Sequence, residues 1–408
     1  MKTVAIIGGG ASGMMAALKA AEDKDNKVIL FERQERVGRK LLSTGNGRCN
    51  LTNTGLTIAN YHGVADGLGK SATFAGSALS QLSPQDTVNF FESLGLVCTE
   101  QYGGRVYPFS DMAGSVLDVL RFALEDRGVD VRTGTEITLA GKNDNGKFYI
   151  YSGKSSIEAD CLIVACGGKA AAKNGGTTLG YDILRSFGHK CTELYPALVP
   201  IRTDTDYPRA LRGIRTQALV LLYHGDELTG ESLGELQFTD RGISGPAAFD
   251  ISRQASIGGG TVVIDFVPEM SADQLGGLLL RRQHISSKQE AAAVFTGILQ
   301  SRVGMCIVKE AGIRPSEKLS RLSDEEILKI AKAAKRFPMN ITGTDPFDTA
   351  QVTAGGIETA DFNPETLESK LVPGLFACGE VLDIDGDCGG FNLQWAWSSG
   401  FVAGKLGK

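Results

Sequence analysis

The sequence predicts an α/β fold: a doubly wound parallel sheet built from residues 1–190 and 338–408, interrupted by a β-barrel-like insert at 191–267 and a small helical subdomain at 268–337. Three observations predict it. The chain opens on an apolar strand, a glycine turn, a helix and a second apolar strand. From 191 the pattern changes to short strands broken by turn residues, and from 271 to helical spacing. From about 338 strand and glycine-rich signals return, and a helix ends the chain.

The elements follow in order. Residues 3–7 (TVAII) are apolar and β-branched without alternation, the mark of a strand buried on both faces. Met14, Ala17, Leu18 and Ala21 share one face of the helix that follows, and 27–32 (KVILFE) is the next strand, completing a βαβ unit. Ser83-Pro84 with Asp86 reads as a capped helix start, closing at Gly95. Val116, Val119, Leu120, Ala123 and Leu124 mark a helix over 112–127, ended by Gly128. Strands are expected around 129–137 and 147–151, with Asn145-Gly146 as a hairpin signal, and over 160–166 (DCLIVAC). ALVPI, QALVLLY, ELQF and TVVIDFV are the insert's strands; Ser271 with Gln274, and Ser323 with Glu326, are spaced as capping boxes. The chain ends in a helix from about 391.

Composition narrows the function. Net charge is −5, so nothing attracts polyphosphate generally and nucleic acid is not the expected partner; a small-molecule substrate is. Eight cysteines without a CxxC, no signal-peptide pattern in MKTVAIIGGG and no apolar run of membrane length fit a reducing cytoplasm. Four scattered histidines (62, 189, 224, 284) show no ligand spacing, so no metal site is expected. Gly67–Ser71 ends like a phosphate loop, but the first glycine it needs falls at Val64 and no strand precedes it. Cys161 and Cys166 have redox-pair spacing but fall on opposite faces of an expected strand.

Three segments carry chemistry. Gly8-Gly9-Gly10-Ala11-Ser12-Gly13 satisfies GxGxxG between strand and helix: Gly8 allows the sharp turn, Gly10 lets backbone approach a diphosphate, and Gly13 lets helix pack on strand. Glu32 ends the second strand, where an acid takes both hydroxyls of an adenosine ribose. GRKLLSTGNGRCNLTN (38–53) follows; its Gly38, Gly45 and Gly47, with Ser43, Asn46 and Asn50, offer donors around a flat hydrogen-bonding ring. That loop points to FAD rather than NAD, which does not need it. In 374–404, Gly379-Glu380 ends a strand, with the carboxylate placed to accept from ribityl hydroxyls. Gly389-Gly390 then opens a helix whose first residues, Asn392, Leu393 and Gln394, would face the pyrimidine edge of the ring, where a helix N-terminus stabilises negative charge. Trp395 and Trp397 read as core.

These segments, with GRVYP (104–108), GELQFTDRGISGP (234–246) and AQVTAGGI…LQWAWSSG (350–400), resemble the bacterial flavoproteins grouped as the aminoacetone oxidase or bile-acid-operon family of FAD-dependent oxidoreductases. The resemblance runs over essentially the whole chain. It implies a glutathione-reductase-type FAD-binding doubly wound parallel sheet, with a β-barrel-like insert and a helical subdomain. By motif it places Gly8–Gly13 and Glu32 on the ADP half, with Arg33, Arg39, Lys40, Ser43, Gly45, Asn46, Cys49 and Asn50 around the rest of the cofactor. Ile137 would supply a backbone contact to adenine, and Ala165-Cys166-Gly167 would stand for the usual Ala-Thr-Gly turn. Lys169-Ala170-Ala171-Ala172-Lys173 departs from the family's Ser-Tyr-Pro, which suggests a different substrate pocket.

The expected reaction is hydride transfer between flavin N5 and a substrate carbon, the protein orienting substrate and tuning the flavin. Arg105 and Tyr107 are candidates to orient a polar substrate; Ser244, which lacks nucleophile-elbow spacing, is a further one. A second GxGxxG flanked by strand and helix is absent, so NAD(P)H, as a transient co-substrate, would have to dock in the substrate cleft. NAD(P)H-linked reduction of a conjugated C=C is the first reading, and an amine or aminoketone oxidase using O₂ the second. A tRNA-modifying flavoprotein is the third, opposed by the acidic composition.

Overall fold

The computed structural model describes residues 1–65, 69–204 and 207–408. They form two compact units: Met1–Pro196 with Phe347–Lys408, and Ala197–Pro346.

The first unit is built on a five-stranded sheet in the order Leu375–Ala377, Cys161–Val164, Lys2–Ile7, Asn26–Phe31, Asp130–Arg132. Every pairing in it is parallel. Val4–Ile7, Val28–Phe31 and Cys161–Val164 are buried, as apolar runs without alternation require when both faces are covered. The helix Ala11–Ala20 packs against the last helix, Phe391–Gly404. Small residues make that approach possible. A Cβ on Gly400 would collide with the Ser12 carbonyl oxygen, and one on Gly404 would lie 2.6 Å from the carbonyl oxygen of Ala16. The last helix is buried nearly all round, and both its tryptophans are core residues that donate to backbone: Trp395 Nε1 to Gly379 O at 3.1 Å and Trp397 Nε1 to Leu51 O at 3.0 Å.

Local signals hold. Ser83, Ser271 and Ser323 each close a capping box, with Asp86, Gln274 and Glu326. The Asn145-Gly146 turn joins Leu139–Lys142 to Phe148–Ser152, and Ser155–Ala159 completes an antiparallel meander. The expected strand over 129–137 is shorter; Asp130–Arg132 joins the parallel sheet, and the hairpin partner lies further on. The strand expected over 160–166 stops at Val164, so Cys166 lies in the turn beyond it; all eight cysteines are free thiols. Of the phosphate-loop look-alike, Gly67 and Leu68 lie outside the described residues, and Gly69 caps the helix Lys70–Gln81 in a left-handed conformation.

The second unit is a closed antiparallel barrel of six strands: Ile201–Thr203, Gly242–Ser244, Glu227–Phe238, Arg215–His224, Thr261–Asp265 and Phe337–Thr344. Phe337–Thr344 pairs with both Thr261–Asp265 and Ile201–Thr203 and so closes the ring. The helices Ala272–Ile285, Ser301–Glu310 and Asp324–Lys335 share one apolar core with the barrel. Lys335 ties helix to barrel, its ammonium 2.6 Å from Asp265 Oδ2 and donating to the carbonyls of Val267 and Met270.

Among the described residues, no helix is long and apolar enough to cross a membrane, and no group of three or more His, Cys, Asp or Glu is placed to hold a metal.

Candidate active site

The site is built in the first unit, at the carboxyl ends of the parallel strands, where open α/β sheets bind ligands. The first strand ends in Gly8 (φ 111°), whose amide donates to Phe31 O at 2.8 Å. A Cβ on Gly8 would strike Ala165 O and one on Gly13 would strike Gly8 O, so only glycine fits at either position. Gly10 is different: nothing lies within 4 Å of where its Cβ would be. The helix starting at Ala11 has no side-chain cap. Open space in front of an uncapped helix start leaves room and donors for a diphosphate.

Glu32 is held by two amides, Gly9 N on Oε2 at 2.9 Å and Gln34 N on Oε1 at 2.8 Å. Each oxygen keeps a second lone pair for a ribose hydroxyl. The Thr135 amide donates to Glu32 O, which brings the buried Ile137 segment beside the acid. Ala165 N bonds to Ile7 O, and Cys166 Sγ contacts the same oxygen at 3.4 Å. Burial pushes the Cys166 thiol up to about 12, so it is a packing group and no nucleophile. Gly167 (φ 70°) faces open space. Arg33 donates to Gly176 O at 2.8 Å, and Arg39 to Gln34 Oε1 at 2.8 Å.

The 38–53 loop is anchored at Gly38, whose amide donates to Gly9 O. Its turn Leu41–Gly47 is kinked at Thr44–Asn46, and Asn46 (φ 56°) and Cys49 (φ 62°) both occupy the left-handed region. Two non-glycine residues in that conformation within four positions are strain of the kind that marks ligand clamps. Cys49 is fully buried, and desolvation raises its thiol to about 12. Asn50 is also buried, yet its side-chain carbonyl has no partner, and neither has Thr52 Oγ1.

The two distant glycine segments meet here. Lys40 Nζ lies 2.6 Å from Glu380 Oε2. Asn53 Nδ2 donates to both Gly103 O and Gly389 O at 3.0 Å. A Cβ on Gly390 would sit 2.6 Å from Thr52 O. Glu380 Oε1 accepts the Thr353 amide at 2.8 Å, so this carboxylate is already fixed before any ribityl hydroxyl reaches it. Gly379 N bonds to Ser399 Oγ at 2.9 Å. Asn392, at the start of the last helix, clamps Gly386 through both side-chain atoms, and Leu393 packs against the core. Ser43 accepts from Asn174 at 3.2 Å. The departing 169–173 loop is pinned by Ala170 N to Thr353 Oγ1 at 2.9 Å and by Lys169 over the Phe347 ring.

Arg105 and Tyr107 lie on the strand Arg105–Pro108, which pairs with Thr52–Asn53. Arg105 is half-buried, and no protein group pairs with its guanidinium among the described residues. Tyr107 is buried, with Arg48 stacked 4.3 Å from its ring centroid. Ser244 belongs to the second unit, opposite Gln237 in the barrel. Sequence reading missed Thr353, Asn53 and Arg48. All three stood inside quoted segments without a distinguishing signal, and the contacts of Thr353 are set by long-range pairing.

The model of the HI0933-like protein Rossmann domain matches residues 2–406. The chain belongs to the HI0933-like family. It is 38% identical over 411 aligned residues to the 3-dehydro-bile acid Δ(4,6)-reductase of Clostridium scindens, covering 99% of this chain and 98% of that protein. It is 29% identical to the ribosomal RNA dihydrouridine synthase of Haemophilus influenzae, covering 97% and 96%, and 27% identical to that of Escherichia coli, covering 98% and 96%. This family member is an FAD-dependent oxidoreductase. The open Gly10 cradle and the uncapped helix start fit FAD.

Proposed function

We propose that the protein reduces a C=C bond conjugated to a carbonyl in a small organic substrate, with NAD(P)H as the electron source. The observation that supports this reading is the junction of the two glycine segments through Lys40–Glu380 and Asn53–Gly389, which brings together the residues this reading assigns to one cradle for a flat ring. FAD, when bound, supplies hydride exchange at its N5 position. The chain does the rest. Gly10 and the first helix hold the diphosphate, and Glu32 holds the ribose. Lys40, Ser43, Gly45, Asn46 and the helix start at Gly390 grip the ring, with the buried Cys49 and Asn50 shaping the loop behind them. Arg105, with no counter-ion among the described residues, orients a carbonyl or carboxylate of the substrate, and Tyr107 lines the same side.

The names of the relatives support the bond type. A Δ(4,6)-reductase saturates a conjugated alkene, and a dihydrouridine is a uridine whose ring C=C, conjugated to a carbonyl, has been saturated. Anaerobic mixing of the purified flavoprotein with NADH or NADPH is expected to bleach the flavin band, and an added enone to restore it. No bleaching by either nucleotide would refute the reading.

The third sequence reading, a flavoprotein acting on RNA, is favoured by the 29% identity to the Haemophilus protein and opposed by the net charge of −5. A salt-sensitive gel shift with ribosomal RNA would support it.

A further inference from the structure

We propose that His62, oriented by Asp387, delivers the proton that completes substrate reduction, a role that rests on the reductase reading above. The sequence offers no acid–base pair because the two residues stand 325 positions apart. The fold joins them. Tyr61–His62 pairs antiparallel with Asp385–Gly386, and His62 Nε2 lies 2.8 Å from Asp387 Oδ1.

Asp387 is firmly held. Its Oδ2 accepts from Asn60 Nδ2 at 3.0 Å, its amide donates to Asn60 O at 3.0 Å, and its carbonyl accepts from Asn392 Nδ2 at 3.2 Å. Asn392 belongs to the helix start that would face the flavin, and Asp387 stands three residues before Gly390, which caps that helix. Tyr61 fixes the same corner, its hydroxyl donating to Phe391 O at 2.9 Å. The dyad thus sits at the end of the ring cradle.

The arrangement is that of an acid–base histidine. One ring nitrogen is tied to a carboxylate, which fixes the tautomer and the ring plane. The other, Nδ1, has no protein partner among the described residues. The side chains are 30% and 37% exposed, so solvent can replace a proton given up. The competing groups are less suited: a guanidinium such as Arg105 does not release a proton, and the Tyr107 ring is covered by Arg48.

The step balances as follows. FAD, when bound and reduced by a nicotinamide nucleotide, would supply the hydride for the C–H bond at the carbon β to the carbonyl. The π electrons move toward the carbonyl oxygen. As that electron pair returns to the α carbon it takes the Nδ1 proton of doubly protonated His62, which forms the α C–H bond; the imidazole left behind keeps its Nε2 proton on Asp387 and is reprotonated from solvent.

The test uses holoenzyme with its flavin photoreduced under anaerobic conditions, mixed with cyclohex-2-enone or with ferricyanide, which takes electrons without protonating carbon. His62→Gln is expected to slow enone-driven reoxidation about 10²–10⁴-fold, with ferricyanide reoxidation unchanged. Asp387→Asn should give an intermediate loss of the same selectivity. Product formed in D₂O by the wild type should carry deuterium at the α carbon. Equal enone rates in wild type and His62→Gln overturn the role of the dyad alone, as does loss of enone turnover in Tyr107→Phe with His62→Gln unaffected. A parallel loss with ferricyanide makes His62 structural and overturns the proposal. Wild type that ferricyanide reoxidises but the enone does not overturns the reductase reading and this role with it.

Discussion

The Lys40–Glu380 pair is the shortest link between two segments 340 residues apart, and it should behave as a measurable clamp. Its ammonium and carboxylate are 2.6 Å apart with side chains 29% and 19% exposed, so solvent screens the pair only in part. Coulomb attraction in such a setting is offset by desolvation and by the ordering of a lysine, leaving a coupling of about 1–2 kcal/mol. Removing Lys40 alone leaves Glu380 with the Thr353 amide as its fixed donor. Lys40→Met should therefore cost about 1–3 kcal/mol, while Lys40→Met with Glu380→Gln should cost less than the two single changes added together. Urea unfolding of the four proteins gives the coupling directly. Costs that add within about 0.3 kcal/mol would show that the two side chains do not communicate and would refute the reasoning.

Three further outcomes follow from the same geometry. Gly400→Ala should lower stability by about 1–2 kcal/mol in thermal melts, because its Cβ would collide with Ser12 O and overpacking outweighs the gain in helix propensity. Cys49, Cys166 and Cys378, all pushed up to about 12 by burial, should resist iodoacetamide at neutral pH in the folded protein and react once it is unfolded, as mass spectrometry would show. His189 is buried, bonded to Ser369 and stacked on Phe362, and burial holds it below its ordinary 6.5. Its folded form resists protonation, so its contribution is complete above about 6.5 and is lost as pH falls from there. His189→Gln should flatten the fall in stability between pH 7 and 5.

What the sequence discloses is what is local. The glycine turn at 8–13 and the capped starts at Ser83, Ser271 and Ser323 are written in adjacent residues, since a turn or a cap is decided within four positions. Parallel strands buried on both faces announce themselves by unbroken apolar runs. Phe337–Thr344 gave no such sign of its barrel partners, because its pairing with Ile201–Thr203 spans more than a hundred residues. Thr353 carries nothing in its own neighbourhood to show that its hydroxyl holds the Ala170 amide and its own amide holds Glu380. The His62–Asp387 pair is hidden for the same reason: a two-residue bridge between remote segments has no period to read. The site's glycines were legible because they cluster; the left-handed backbone of Asn46 and Cys49 was not, because φ is set by the closed loop.

The account depends on FAD lying with its diphosphate at Gly10 and its ring between the 38–53 and 379–394 segments. Titration of the purified chain with FAD, followed by quenching of flavin fluorescence, tests this most directly. Saturation at one FAD per chain, weakened in Gly10→Glu by charge placed in the open cradle, is the expected result. A chain that is colourless and leaves the fluorescence of added FAD unchanged would contradict it.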